Sequence, residues 1–269
     1  MKKILLIGCG HMGSALVTSW IKTKKYSLTI VDPIKYIKLK QKYKSKNIKI
    51  IESISLLNDK AEYNTVVLAT KPVDLNNALK DLSKINLSNQ TVLISVVAGK
   101  KISILKKRFR NFKNLFRVMP NMPALINEGM NCVVANNKVS NKVKNEVVKL
   151  FSYSGKTILL QNENQIDMAT AISGSGPGFV FNIIDAFENA SNALGFREDI
   201  SKTLVSQTLK GSIDLILQNN ITAKDLVSTV ATKGGTTEAG IKIMRKNNIH
   251  KIVIDLTKAA YKRAKEQGK

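Results

Sequence analysis

The stretch Ile4-Leu5-Leu6-Ile7-Gly8-Cys9-Gly10-His11-Met12-Gly13 decides the fold. Four consecutive apolar residues read as a buried strand. The Gly-x-Gly-x-x-Gly that follows, ahead of helical spacing over 15–22, reads as the turn from strand to helix in a dinucleotide-binding unit. Gly8 permits the tight turn, Gly10 lets the backbone approach a pyrophosphate, and Gly13 lets the helix pack against the strand. His11 and Met12 complete the loop, where a helix N-terminus offers unpaired N–H groups and a favourable dipole.

Outward from this loop the pattern repeats. Strands are predicted at Lys3–Gly8, Leu28–Asp32, Ile48–Ile51, Thr65–Thr70, Thr91–Val96, Leu115–Met119, Cys132–Ala135 and Thr157–Leu160, with helical spacing between several of them, as over Leu75–Leu82. Alternating β and α segments imply a parallel sheet covered on both faces, an α/β doubly wound, Rossmann-like domain over residues 1–162. Beyond 163 the strand signal fades. Val180, Ile183, Ile184, Phe187, Ala190 and Leu194 form one helical stripe, and Ile252, Val253, Leu256, Ala259, Ala260 and Ala264 another. Residues 163–269 are therefore expected to be an all-helical second domain. Apolar helices of this kind often bury a face against another subunit, so at least a dimer is expected. Asp199 or Ser201 is expected to cap one helix and Thr222 another.

Three segments near predicted strand ends carry candidate ligands. Asp32 can accept from both hydroxyls of an adenosine ribose and repel a 2′-phosphate, or it is simply an exposed turn residue. Lys35 offsets that repulsion, so the pair tilts only slightly toward NADH, and NADPH or NADH remain the candidate cofactors. In Ala69-Thr70-Lys71-Pro72, Lys71 can contact the cofactor, or it is a surface lysine ahead of a helix-starting proline. In Met119-Pro120-Asn121-Met122-Pro123-Ala124, Asn121 either presents its amide to the nicotinamide or holds a stiff loop together.

Composition bounds the rest. The chain has 269 residues, 43% hydrophobic, with a net charge of +24, and only six of its 43 basic residues are arginine. A lysine excess spread over every region reads as coding bias, because arginine is the usual choice for specific phosphate and base contacts. No specific nucleic-acid partner is expected. No apolar stretch reaches the length of a membrane span, and the N-terminal apolar run is too short for a secretion signal, so no membrane is expected. Cys9 and Cys132 fit neither a disulfide framework nor a zinc pattern, which points to a cytoplasmic protein without a metal.

Five segments, in order, resemble a known family: Ile7–Gly13, Ala69–Pro72, Met119–Ala124, Ser173-Gly174-Ser175-Gly176-Pro177 and Lys233-Gly234-Gly235-Thr236-Thr237. The chain resembles pyrroline-5-carboxylate reductases over about residues 3–268. That resemblance implies an NAD(P)H-dependent reduction of the cyclic imine in 1-pyrroline-5-carboxylate to L-proline, the final step of proline biosynthesis. It implies a homodimer or a larger assembly of dimers, with the active site between the cofactor domain of one subunit and the helical domain of its partner. Thr237 corresponds to the family threonine facing the ring nitrogen, the candidate catalytic residue. Gly234, Gly235 and Thr236 with Thr237 are expected to hold the substrate carboxylate at a helix N-terminus. The family usually shows Ser-Pro before the two glycines; here Thr232 keeps a hydroxyl and is expected to join the substrate site, and Lys233 brings a charge. Gly178-Phe179 stands where the family usually shows Ala-Tyr. The rival reading, a β-hydroxyacid dehydrogenase, needs a lysine in the first long helix after the cofactor domain, and none lies between Asp167 and Ser201.

Overall fold

The computed structural model describes residues 1–44, 48–57 and 62–268. In chain order they form β1 (Lys2–Ile7), α1 (His11–Lys22), β2 (Tyr26–Val31), α2 (Tyr36–Lys42), β3 (Ile48–Ile51), β4 (Thr65–Leu68), α3 (Leu75–Leu82), β5 (Val92–Ser95), α4 (Ile102–Arg108), β6 (Leu115–Met119), β7 (Gly129–Ala135), α5 (Asn141–Ser152) and β8 (Gly155–Leu159). Helices α6 (Glu163–Ala169), α7 (Gly176–Ala193), α8 (Glu198–Asn219), α9 (Ala223–Val230), α10 (Thr236–Lys246) and α11 (Ile249–Gln267) follow.

The eight strands form one sheet in the order β3-β2-β1-β4-β5-β6-β7-β8. β1 is buried on both faces, which is why it reads as a continuous apolar run. Leu5 and Ile7 pack on one face with Leu75, Leu79, Leu82 and Leu105 of α3 and α4. Ile4 and Leu6 pack on the other with Leu16, Val17 and Trp20 of α1 and Phe151 of α5. The chain winds outward from β1 in one direction and from β4 in the other, so the switch point lies between β1 and β4. Register sets Ile7 opposite both Val31 and Leu68. The strand ends therefore align, and Gly8, Asp32 and Ala69 each follow at the same edge.

All eight predicted strands are present, with ends shifted by a few residues. The sheet is not wholly parallel: β6 and β7 run antiparallel. A parallel return requires a crossover of a dozen residues or more. Here only a short helical turn, Met122–Ile126, joins the two strands.

Helix begins at Glu163 and no strand follows among the described residues. Packing divides these residues into two compact units elsewhere: Met1–Ser175 together with the chain from Ala260 onward, and Gly176–Ala259. In the second unit Ser201 Oγ ties α8 to α7, bonding Asn192 Oδ1 at 2.6 Å and Ser191 Oγ at 2.9 Å. Asp199 and Ser201 therefore do not cap α8; Arg197 occupies that position without a side-chain bond. Thr222 does cap α9, its Oγ1 accepting from Asp225 N–H at 3.2 Å. Phe187 of the α7 stripe is 57% exposed and Leu194 beyond it 82%. No helix among the described residues is long and apolar enough to cross a membrane.

Candidate active site

The aligned ends of β1, β2 and β4 border a crevice of about 710 Å³, lined by Gly8, Gly10, Asp32, Lys35, Thr70 and Lys71 among others. His11, Met12 and Ala69 line it as well. Gly8 has φ +89°, and a Cβ there would lie 2.7 Å from the Ala69 carbonyl oxygen. A Cβ on Gly13 would lie 2.5 Å from the Gly8 carbonyl oxygen. A Cβ on Gly10 would meet no atom, so its missing side chain leaves space on the crevice itself.

The first helical bond of α1 runs from Ser14 N–H to the Gly10 carbonyl at 3.0 Å. The N–H groups of His11, Met12 and Gly13 thus have no helical acceptor. No acidic residue occupies that first turn. Three free donors, a helix dipole and a glycine-lined approach fit a pyrophosphate. Thr70 Oγ1, at the same edge, is shielded from solvent and makes no hydrogen bond among the described residues. It offers a further polar contact. Pro72 lies in a turn closed by Asp74 N–H on the Lys71 carbonyl at 3.1 Å, ahead of α3 rather than at its start.

Asp32 is 7% exposed and is not a simple surface turn residue. Its Oδ2 accepts from Cys9 N–H at 2.7 Å, and Oδ1 accepts from Ile34 N–H at 3.0 Å and Lys35 N–H at 2.8 Å. The carboxylate thus staples the β2–α2 connection to the glycine loop. Several lining residues escaped the sequence reading: Glu52 and Ser53, just past β3, Asp74 at the start of α3, and Asn77, Ala78 and Asp81 on it. Their signals were present, one being a position just beyond a strand and the other an i, i+3, i+4, i+7 helix face.

Asn121 follows β6. Its Nδ2 donates to the Ser173 carbonyl at 2.9 Å and its Oδ1 accepts from Met130 N–H at 2.7 Å. Of its two candidate roles, these bonds describe the loop-holding one. They tie the Met119–Ala124 segment to β7 and to the π-helical turn Thr170–Gly174. Nearby, Arg117 of β6 is buried against α6, with Nη2 2.9 Å from Asp167 Oδ1 and Nη1 3.4 Å from Glu163 Oε1. Burial raises the Cys9 and Cys132 thiols above their ordinary value, so both suit packing better than nucleophilic attack.

The Thr232–Thr237 segment lies in the second unit. Gly234 has φ +79° and open space around a would-be Cβ. Its N–H donates to Glu238 Oε2 at 2.9 Å, and Gly235 N–H donates to the Thr232 carbonyl at 3.0 Å. A Cβ on Gly235 would lie 2.9 Å from Thr232 Oγ1. The first α10 bond runs from Ala239 N–H to the Gly235 carbonyl, leaving the N–H groups of Thr236, Thr237 and Glu238 without helical acceptors. The glycines thus shape the turn, and the helix supplies the free donors. The Gly234 N–H, first, and Lys242, second, hold the Glu238 carboxyl below its ordinary value.

Two family descriptions match the chain: "NADP oxidoreductase coenzyme F420-dependent" over residues 3–99, and "Pyrroline-5-carboxylate reductase dimerisation" over residues 163–267. The chain is 30% identical to pyrroline-5-carboxylate reductase 2 of Bacillus subtilis, over 99% of this chain and 95% of that one. Among solved structures, a pyrroline-5-carboxylate reductase from Coxiella burnetii superposes with a TM-score of 0.89 at 27% identity, covering 99% of this chain and 98% of that one. The Plasmodium falciparum pyrroline carboxylate reductase, solved with NADP bound, superposes at 0.85 with 28% identity, covering 100% and 98%.

Proposed function

The chain belongs to the pyrroline-5-carboxylate reductase family and catalyses the NAD(P)H-dependent reduction of 1-pyrroline-5-carboxylate to L-proline, and from that premise we propose how its own residues divide the work. Gly8, Gly10, His11, Met12 and Gly13 carry the pyrophosphate, Asp32 and Lys35 border the adenosine ribose, and Ala69-Thr70-Lys71-Pro72 forms the opposite wall. Asn121 keeps in shape the loop that would face the nicotinamide. When bound, the nicotinamide would supply the hydride to the C=N carbon of an imine whose ring nitrogen has already taken a proton from solvent.

The substrate carboxylate sits at the start of α10. Thr236 and Thr237 offer backbone N–H groups, Gly234 and Gly235 allow close approach, and Thr232 braces the turn. The Thr237 hydroxyl faces the ring nitrogen, orients the imine and holds a proton there. No strong acid–base pair is required, because a protonated imine is already electrophilic. Orientation alone lowers a barrier by about 7–11 kcal/mol in favourable cases. The single observation that carries this assignment is the set of first-turn α10 donors with Thr237 among them.

The domain division at 162/163 follows the change from mixed to all-helical structure. The chain carries a dimerisation domain. The exposed apolar side chains of α7 and α11 support a homodimer or a larger assembly of dimers. Two buried free cysteines accord with a cytoplasmic setting. The decisive assay mixes purified protein, racemic pyrroline-5-carboxylate and NADH or NADPH, then follows cofactor absorbance and proline formation. Turnover is expected, and its absence with both cofactors would refute the reading. Light scattering is expected to give at least twice the chain mass.

A further inference from the structure

We infer that the crevice selects NAD(H) over NADP(H), with Asp32 and Pro33 as the specificity-determining residues; this rests on the assignment of the crevice to the cofactor. A carboxylate oxygen has two lone pairs. Asp32 Oδ1 spends both, on Ile34 and Lys35 N–H, whereas Oδ2 spends one, on Cys9 N–H. One acceptor site therefore remains on Oδ2 at the rim of the crevice. A ribose hydroxyl has a proton to donate to it. A 2′-phosphate, near neutral pH, carries about −1.5 to −2 charges and offers mainly acceptors.

The same bonds remove what a phosphate would need. Anion sites in such loops depend on backbone N–H groups. Pro33 has none. Those of Ile34 and Lys35 already point at Asp32. Lys35, which lines this part of the crevice, is a point charge without the bidentate fork by which arginine grips phosphate. The local charge balance runs the same way. The chain has only 19 acidic residues, yet Asp32, Glu52, Asp74 and Asp81 all line this one crevice, against Lys35 and Lys71. Among the described residues, a chain of strongly positive charge thus lines this crevice with more carboxylates than ammonium groups.

Calorimetric titration of the full chain with ADP-ribose and with 2′-phospho-ADP-ribose tests this without turnover. ADP-ribose is expected to bind at least about tenfold tighter. Pro33→Arg adds both a guanidinium and a backbone N–H at an exposed turn, and leaves the Asp32 side chain in place. It is expected to tighten 2′-phospho-ADP-ribose by about tenfold and so to narrow the ratio. Asp32→Asn is expected to narrow it as well, mainly by weakening ADP-ribose. Equal or tighter binding of 2′-phospho-ADP-ribose by the unmodified protein would overturn the inference while leaving the cofactor site intact. Binding of neither fragment would overturn the cofactor assignment, and the inference with it.

Discussion

The two glycine turns, Gly8–Gly13 and Gly234–Thr237, are built alike and behave differently. Each ends on a glycine N-cap without a side-chain cap, Gly10 before α1 and Gly235 before α10. Each leaves three first-turn N–H groups free. Around the first, neighbouring backbone presses close, so Gly8 is required by contact as well as conformation and Gly13 by contact alone. Around the second, Gly234 is required by conformation alone. The first turn has no carboxylate of its own in the helix, whereas the second has Glu238 folded back onto Gly234 N–H. Similar first-turn donors thus sit in close packing in one unit and in open space in the other.

Substitutions can break this contrast. Gly8→Ala combines a left-handed backbone with a clash against the Ala69 carbonyl, costs of about 1–2 and 1–3 kcal/mol respectively. Loss of dinucleotide binding by titration and a melting point lower by several degrees are expected. Retained binding would show the first turn to be as tolerant as the second. Thr237→Ala is expected to lower turnover by about 100-fold, with dinucleotide affinity nearly unchanged. A fall in dinucleotide affinity instead would put Thr237 in the wrong site.

Gly234→Ala meets only the conformational cost, about 1–2 kcal/mol. Steady-state kinetics should show a raised KM for the imine, with a smaller loss of melting temperature than Gly8→Ala produces. The smallest effect is electrostatic. The Glu238 carboxyl is held below its ordinary value of 4.5 by Gly234 N–H and then Lys242. A depressed folded value contributes stability above the unfolded value, and that contribution is lost as pH falls through the lowered one. Thermal melts from pH 5 to pH 3 should therefore show a slightly steeper decline for the native chain than for Glu238→Gln.

The legible parts of this protein were the short-range ones. β1 announced itself as an apolar run because both of its faces are covered, and α3 because its buried side chains recur at helical spacing. The glycine loop was readable because strand, turn and helix are contiguous in the chain. The antiparallel return at β7 was less visible, since the direction of a strand depends on the length of the preceding connection and not on its own residues. Capping divided on the same line. Thr222 bonds to a residue three positions away, whereas Ser201 bonds across to α7 and so is no cap.

The strand–turn–helix units, the glycine turn before α10 and the family to which the chain belongs were all readable in advance, because each is written in neighbouring residues. The partners of Asp32, Asn121 and Arg117 came only from the packed fold. Asp32 bonds to Cys9, Asn121 to Ser173 and Arg117 to Asp167, across 23, 52 and 50 positions of sequence. A buried polar group must find partners wherever the fold brings them. Its type can be read in advance, but its bonds exist only once the distant segments have been packed together.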